Sequence, residues 1–233
     1  MFSDQTVLVT GAAGGLGSEV CLFFKRLNAS VIAVDLSLDL LGKTFGSDQL
    51  GLSHYAADLT KKEESRDVLE EIMSSHPRID VLCNIAGGFF MGETVHQTSE
   101  SNWNFLFDLN VRSIVNTASV LVPKMIDRGG GKIINIGARA ALGGMANMGA
   151  YTASKSAVIR ITEAMSEELR DQNINVNCIL PGVIDTPKNR SDMAGSDFSK
   201  WVSPSEIAEV IGFLASEKSV AINGASIPVY GRS

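Results

Sequence analysis

Short apolar segments alternate with longer segments of mixed polarity along the chain. The apolar segments are rich in Val and Ile, and each is nearly continuous in apolar character. Such runs are typical of parallel strands whose two faces are both covered. We predict strands at residues 6–10, 31–35, 79–84, 132–136 and 174–180, and weaker ones near residues 52–57 and 225–229.

The intervening segments have the spacing of amphipathic helices, and we predict these at residues 15–28, 61–75, 98–128, 150–171 and 204–216. Strands that alternate with helices indicate a doubly wound parallel sheet. The predicted fold class is therefore α/β, with a single Rossmann-type domain over residues 1–233. Residues 185–202 are the long polar stretch without a regular pattern. Long irregular segments are often active-site lids, and we expect this one to cover a substrate.

Composition narrows the classes of function. The 233 residues include 20 basic and 26 acidic side chains, which give a net charge of −6. This balance excludes a strongly basic nucleic-acid binder. Apolar residues make up 45% of the chain, yet no run approaches the roughly 18 residues of a membrane span. The opening residues, MFSDQT, do not resemble a signal peptide, so we expect a cytoplasmic protein without membrane or nucleic-acid partners.

Cysteine and histidine usage predicts neither a disulfide framework nor a metal site. The three cysteines, Cys21, Cys83 and Cys178, are an odd number without short spacing, and the three histidines form no i,i+4 pair. Cys83 and Cys178 fall in predicted strands, where buried and unreactive thiols are expected.

A glycine-rich turn, TGAAGGLG, lies between the first predicted strand and the first predicted helix. Its glycines Gly11, Gly15 and Gly17 allow a tight turn and a close approach of the backbone to a pyrophosphate. The helix then presents its N–H groups and the positive end of its dipole to that anion. The turn therefore predicts a dinucleotide site.

Asp35 indicates which dinucleotide binds. It ends the second predicted strand, 24 residues after Gly11 and 18 after Gly17. An acid at this distance accepts hydrogen bonds from a ribose diol. The same carboxylate repels a 2′-phosphate, and the neighbouring Leu36, Ser37 and Leu38 supply no cation to hold one. The predicted cofactor is therefore NAD.

Tyr151 and Lys155 are the candidate proton-transfer pair. They are four residues apart in YTASK, so on a helix their side chains share one face. A free tyrosine has a pKa near ~10, and a neighbouring ammonium lowers it. We therefore expect Lys155 to lower the pKa of Tyr151, which then exchanges a proton with substrate as a hydride moves.

Together these motifs resemble the short-chain dehydrogenase/reductase family over essentially the whole chain. Asp58 in AADLT, Asn84-Ile-Ala-Gly87 and Pro181-Gly-Val-Ile-Asp-Thr186 are similar to further family motifs. Asn110 in DLNV is similar to the asparagine of the family's proton relay. The resemblance implies catalytic roles for Tyr151, Lys155 and Asn110. It implies cofactor contacts at Gly11, Gly15, Leu16, Gly17, Asp35, Asp58, Leu59, Asn84, Ala86, Gly87, Tyr151, Lys155, Pro181, Gly182, Val183 and Thr186.

One position departs from the family pattern. Members usually carry a serine 13 residues before the tyrosine, and here Ala138 occupies that position. That serine helps to bind the developing oxyanion of a carbonyl, and losing such a donor costs roughly 10²–10³ in rate. Three interpretations remain: a weak carbonyl reductase, an enzyme whose substrate needs no second donor, and a cofactor-binding protein without catalysis.

A narrower resemblance favours the second interpretation. Residues 137–142 (GARAAL) and 83–88 (CNIAGG) are similar to dihydropteridine reductases, which also have alanine at this position. Their quinonoid dihydropterin is reduced at a C=N system, so no alkoxide forms. Asn110 departs from that branch and matches ordinary family members. A 3-oxoacyl thioester, or another ketone or alcohol, is the alternative substrate.

Four further residues are candidates for substrate contact beside Ala138. These are Arg139 and Asn147, between the fifth strand and the tyrosine helix, and Met193 and Trp201, in the expected lid. The predicted helices at residues 98–128 and 150–171 are apolar over wide arcs. Equivalent helices pair between subunits in the family, so the resemblance implies a homodimer or homotetramer.

Overall fold

Parallel strands form the centre of the molecule. The computed structural model describes residues 2–46 and 51–233. Its strands are β1 (Thr6–Thr10), β2 (Ser30–Asp35), β3 (Leu52–Ala56), β4 (Val81–Asn84), β5 (Gly131–Ile136), β6 (Ile174–Pro181) and β7 (Ser226–Val229). They form one seven-stranded sheet in the order β3-β2-β1-β4-β5-β6-β7, with every pair parallel. The seven predicted strands and the α/β fold class are confirmed.

Helices cover both faces of the sheet. They are α1 (Gly15–Arg26), α2 (Leu38–Phe45), α3 (Lys62–Ser75), α4 (Glu100–Phe107), α5 (Ser113–Asp127), α6 (Gly149–Leu169), α7 (Pro187–Asp192) and α8 (Pro204–Ala215). Side chains of a strand alternate between the two faces. In β1, Val7 and Val9 enter the core formed with α1 and α8, while Leu8 enters the core formed with α3 and α5. Both cores are apolar, which explains why the strands read as continuous apolar runs.

The strand order reverses beside β1. β1 pairs with β2 on one side and with β4 on the other, so the two connections leave in opposite directions. A crevice opens at the carboxyl ends of the strands where the order reverses, and open α/β sheets bind ligands there. The predicted glycine turn follows β1 and therefore lies at this crevice.

Helix boundaries differ from the predictions at three places. Helix α2 was not predicted, because it is short and Leu41 is its one buried residue. The predicted helix at 98–128 is two helices joined by a π-helical turn at Asp108–Arg112. The stretch 185–202, predicted as irregular, contains α7 and a short 3₁₀ turn at Phe198–Lys200. Polar composition there reflects exposure rather than a lack of helix.

Within residues 2–46 and 51–233, one helical stretch is long and apolar enough to cross a membrane. It runs over Glu100–Asp127, with a mean hydropathy of 1.3. Length and composition are weak evidence, because helices packed in a protein core meet the same criteria. Leu106, Ile114 and Leu121 from this stretch are buried in the fold. The absence of a membrane partner stays a prediction.

The cysteines lie inside the fold. Cys21, Cys83 and Cys178 are all buried, as predicted for the latter two. Burial raises the pKa of each thiol well above its ordinary value. These thiols are therefore poor nucleophiles.

Candidate active site

The glycine turn after β1 is built by close backbone contacts. Gly11 has a φ of +64°, which glycine adopts without strain. A Cβ on Gly17 would lie 2.1 Å from the carbonyl oxygen of Gly11. Gly14 caps α1 without a side-chain hydrogen bond, so the first N–H groups of the helix point into the crevice. This arrangement suits a pyrophosphate, and the residues present fit a dinucleotide.

A cavity of about 720 Å³ extends from the glycine turn. Its lining includes the predicted cofactor residues Gly11, Gly15, Leu16, Gly17, Asp35, Asp58, Leu59, Ala86 and Gly87. Phe105, Asp108 and Leu109 also line it, and sequence reasoning did not single them out. A second and larger groove lies between α3 and α5, away from the glycine turn. We place the dinucleotide in the smaller cavity because the helix N-terminus and Asp35 both face it.

Asp35 is tied to the glycine turn. Its carboxylate accepts hydrogen bonds from the backbone N–H of Ala13, at 2.8 Å, and of Leu36, at 2.7 Å. The lining residues of the cavity include Asp35, Asp58 and Asp108, and none of the lining residues is Lys, Arg or His. The side chains around Asp35 therefore offer no cation to a 2′-phosphate, and Asp108 is already paired with Arg112.

Asn84 is among the predicted cofactor residues. Its amide lies inside the sheet, where Nδ2 donates to Oδ1 of Asn135 at 2.8 Å and Oδ1 accepts from Thr117. The side chain is buried and does not line the cavity. The hydrogen-bonding groups of this side chain join β4 to β5 and α5, and the predicted cofactor contact at Asn84 stays a prediction.

Asn110 and Lys155 lie together beyond the end of β4, and Tyr151 lies one helical turn before Lys155 on α6. Nζ of Lys155 donates to the carbonyl oxygen of Ile136 at 2.8 Å. The amide of Asn110, in the π-helical turn, bonds both backbone groups of Gly88 and donates to Oγ of Ser154 at 3.0 Å. A Cβ on Gly87 would lie 3.0 Å from Asn110 Oδ1 and 3.1 Å from Lys155 Nζ. A side chain at position 87 would therefore press on both polar groups, so glycine leaves them room.

Burial controls the proton affinities of the pair. It raises the pKa of Tyr151 to about 12 and lowers the pKa of Lys155 to about 8. The expected lowering of the tyrosine pKa by Lys155 is not found, because the shift comes from burial of the phenol. At neutral pH the phenol is protonated and is therefore available as a proton donor.

Two residues missed by sequence reasoning support this centre. Ser154 donates to the carbonyl oxygen of Tyr151 at 2.9 Å while it accepts from Asn110, so it fixes the orientation of that amide. The ring of Phe89 meets the ring of Tyr151 edge-on, with 4.8 Å between centroids. The serine within YTASK was a signal for the first residue. No local pattern indicated the second.

The motif after β6 lies beside the glycine turn but outside the cavity lining. Oγ1 of Thr186 caps α7 by accepting from the N–H of Asn189, and a Cβ on Gly15 would lie 2.8 Å from Cγ2 of Thr186. Pro181, Gly182 and Val183 do not line the cavity. Gly182 and Val183 instead contact the C-terminal segment at Tyr230 and Ser233.

The segment around Ala138 lies along the first turns of α6. Lys155 bonds the carbonyl of Ile136, and Oγ of Ser156 bonds the carbonyl of Ala141 at 2.7 Å. Ala138 falls between these contacts, and no hydroxyl replaces the missing serine at that position. Arg139 is not a substitute donor, since its guanidinium bonds the carbonyl oxygen of Ser233 and covers the ring of Tyr230.

The other predicted substrate residues are dispersed. Asn147 is exposed, with a left-handed φ of +61°. Met193 follows α7 and is partly exposed, while Trp201 contacts the ring of Phe198 with 4.7 Å between centroids. Trp201 and Arg139 both lie against the C-terminal segment, and the role of these residues in binding substrate stays a prediction.

Comparisons with known proteins agree with this class of site, a dinucleotide crevice with a buried Tyr–Lys pair. The family model described as "short chain dehydrogenase" matches residues 5–196. The chain therefore belongs to the short-chain dehydrogenase/reductase family, whose members are oxidoreductases that bind a nicotinamide cofactor and act on small molecules.

Individual relatives differ in activity and cofactor. The 3-oxoacyl-(acyl-carrier-protein) reductase FabG of Thermotoga maritima is 32% identical, with 97% of this chain and 96% of the relative covered. The NAD-dependent glycerol dehydrogenase of Listeria innocua is 31% identical, with 98% and 93% covered. The solved structure of ElxO with NADP bound superposes with a TM-score of 0.90, at 25% identity and 97% coverage of both chains.

Proposed function

We propose that this protein is an NAD(H)-dependent oxidoreductase that acts on a C=N or C=O group of a small organic substrate. The observation that carries the proposal is the position of the Tyr151 helix, Lys155 and Asn110 at the end of a cavity whose charged lining is acidic. The nicotinamide, when bound, supplies or accepts the hydride. The rest of the chemistry belongs to side chains of this chain.

Tyr151 is the proton donor in this proposal. Its raised pKa keeps the phenol protonated at neutral pH, so it delivers a proton to the substrate nitrogen or oxygen as that atom gains charge. The Lys155 ammonium lies on the same face of α6 and opposes the negative charge left on the phenol. Asn110, fixed by Gly88 and Ser154, is a positioning residue. We expect it to hold the water through which a proton returns to Tyr151.

The acidic lining supports NAD rather than NADP. A 2′-phosphate adds roughly 1.5 to 2 negative charges. Placed near Asp35, it would meet like charge, and the cavity lining offers no basic side chain to compensate. The hydroxyl of an unmodified ribose can instead donate to the Asp35 carboxylate.

Asp35→Asn tests the cofactor assignment. The amide keeps the size of the side chain but removes the charge that repels a 2′-phosphate. Since a hydrogen bond to a charged group contributes about 1.5–3 kcal/mol, we expect kcat/KM with NADH to fall about tenfold or more. We expect kcat/KM with NADPH to rise. Steady-state rates with both cofactors give the ratio.

Asp39→Asn is the matched control for this variant. Asp39 lies on α2, is exposed beside Lys43, and does not line the cavity. It removes the same charge and should leave the NADH:NADPH ratio unchanged. An unchanged ratio in Asp35→Asn as well would overturn the proposed role of Asp35.

Ala138 supports a substrate that needs a single proton donor. A quinonoid dihydropterin is reduced at a C=N system, and protonation of nitrogen by Tyr151 leaves no oxyanion to be bound. A 3-oxoacyl thioester is the alternative, favoured by the similarity to the Thermotoga maritima reductase. The discriminating assay follows NADH oxidation with a quinonoid dihydropterin and with an acetoacetyl thioester.

Ala138→Ser sharpens this assay by restoring the second donor. With a C=N substrate we expect little change in kcat, because no oxyanion forms beside residue 138. With the thioester we expect a gain of about 10²-fold, in line with the contribution of one such donor. If the wild-type protein turned over the thioester quickly and did not turn over the pterin, the 3-oxoacyl thioester would become the proposed substrate.

The location and assembly of the protein are also proposals. We propose a cytoplasmic homo-oligomer. Val115 and Ile126 on α5 are exposed apolar side chains, which supports burial of this helix against a second copy. Sedimentation of the purified protein measures the assembly directly.

A further inference from the structure

Two loops lie beside the start of α6, where Tyr151 lies. One comprises residues 87–98, after β4, and the other comprises residues 138–148, before α6. The backbone N–H of Gly92 donates to the carbonyl oxygen of Asn147 at 2.9 Å, which joins the two loops. Val95 packs on Gly149 at the start of α6, where a Cβ would lie 2.4 Å from its Cγ2. Phe89 reaches the reaction centre itself through its contact with Tyr151.

These joined loops carry a group of exposed apolar side chains, here named the apolar rim. Its members are Phe89, Met91, Val95, Leu142 and Met145, and each is more than half exposed. Single exposed apolar residues are ordinary, but five of them on two hydrogen-bonded loops beside Tyr151 indicate a binding surface. Phe89 contacts the Tyr151 ring, so it is the rim residue placed to touch a molecule bound at that tyrosine.

The charged side chains of the two loops already have partners within the chain. The first loop, residues 87–98, contains Glu93, and the second loop, residues 138–148, contains Arg139. Glu93 accepts from the N–H of Ser99 and from Nδ2 of Asn102, and Arg139 bonds the Ser233 carbonyl. His96 is exposed on the first loop.

The charged side chains of the expected lid, residues 185–202, are also paired with one another. Asp185 pairs with Arg190, Lys188 with Asp192, and Lys200 with Asp197. Each lysine and arginine of the lid and the two loops therefore has a partner already, and a carboxylate or phosphate on the substrate would compete with that partner. Desolvating an unpaired anion is costly, which disfavours ionised substrates at this position.

We propose that the substrate is an uncharged molecule whose apolar part extends from the reacting carbon at Tyr151, across Phe89, to the apolar rim. Phe89 is the specificity-determining residue of this arrangement. The inference rests on the proposed oxidoreductase function and adds the class of substrate to it.

Binding of a homologous series to the NADH complex tests the inference without requiring turnover. The probes are 2-hexanone, 2-octanone and 2-decanone, each compared with the 2-oxo acid of equal length, and NADH fluorescence reports binding. We expect each added methylene to lower Kd of the ketone about fourfold, the value for burial of one methylene. We expect the 2-oxo acids to bind more weakly than the ketones at every length.

Phe89→Ala tests the route across the rim. We expect the Kd of 2-decanone to rise about tenfold, in line with the loss of one aromatic contact surface, while the Kd of NADH is unchanged. The matched control is Phe213→Ala, since Phe213 is similarly exposed on α8, outside the two loops. This control should leave both constants unchanged.

The outcomes separate the two proposals. A protein that does not bind NADH overturns the proposed function and this inference with it. Normal NADH binding with ketone affinities that do not depend on length, or with tighter binding of the 2-oxo acids, overturns this inference alone. A loss of self-association in Phe89→Ala, with ketone binding unchanged, would assign the rim to contact with a second copy instead.

Discussion

Tyr151→Phe should lower kcat by about 10²–10⁴-fold, the usual contribution of a positioned general acid. The substitution removes the hydroxyl and keeps the ring, so the edge-on contact with Phe89 remains. The Kd of NADH should not change, because Tyr151 does not line the dinucleotide cavity. Single-turnover rates with a substrate found in the assays above, beside an NADH titration, give both quantities.

Tyr55→Phe is the control for the loss of a phenol. Tyr55 lies in β3, on the opposite edge of the sheet from α6, and should give wild-type kinetics. If Tyr151→Phe retained full activity, another group would have to supply the proton. If neither wild type nor variant turned over any substrate while both bound NADH, a non-catalytic NAD-binding protein would be favoured.

Gly17→Ala should abolish tight NADH binding and destabilise the fold. A Cβ at position 17 would lie 2.1 Å from the Gly11 carbonyl oxygen and 2.9 Å from Cα of Ala12. Both obstacles are backbone atoms, so the whole turn must shift to accept one methyl group. We expect the free energy of unfolding to fall by about 3 kcal/mol, the upper part of the range for overpacking. Urea unfolding and NADH titration measure the two effects.

Gly42→Ala is the matched substitution in open space. Gly42 lies inside α2, has nothing within 4 Å of an added Cβ, and does not line the cavity. Alanine is the better helix former, so this variant should gain about 0.5–1 kcal/mol in stability with unchanged NADH binding. Equal behaviour of the two variants would contradict the close packing described for the glycine turn.

Local patterns were sufficient for the strands, for most of the helices and for the glycine turn. Strand segments were found from their apolar runs because both faces of this sheet are covered. The turn was found because glycine is needed wherever backbones approach closely, as at Gly17. The short helix α2 was missed because a helix with one buried residue leaves almost no periodic signal.

The contacts that individual side chains make could not be predicted from local sequence patterns. Asn84 was predicted as a cofactor contact, but β5 and α5 bring Asn135 and Thr117 to its amide. Arg139 was predicted near substrate, but the C-terminal segment takes its guanidinium. Each outcome depends on which distant segment arrives beside the residue, and sequence spacing does not record that.

The sequence by itself determined the strands and most of the helices, the dinucleotide turn, the Tyr151–Lys155 spacing and the loss of a hydroxyl at Ala138. These features depend on residue type and local backbone geometry. The tertiary structure decided the strand order, the π-helical turn that presents Asn110, the contact of Phe89 with Tyr151, and the direction of both pKa shifts. These depend on burial and on contacts between segments far apart in the chain, because hydration is lost and long-range partners are chosen only when the elements pack together.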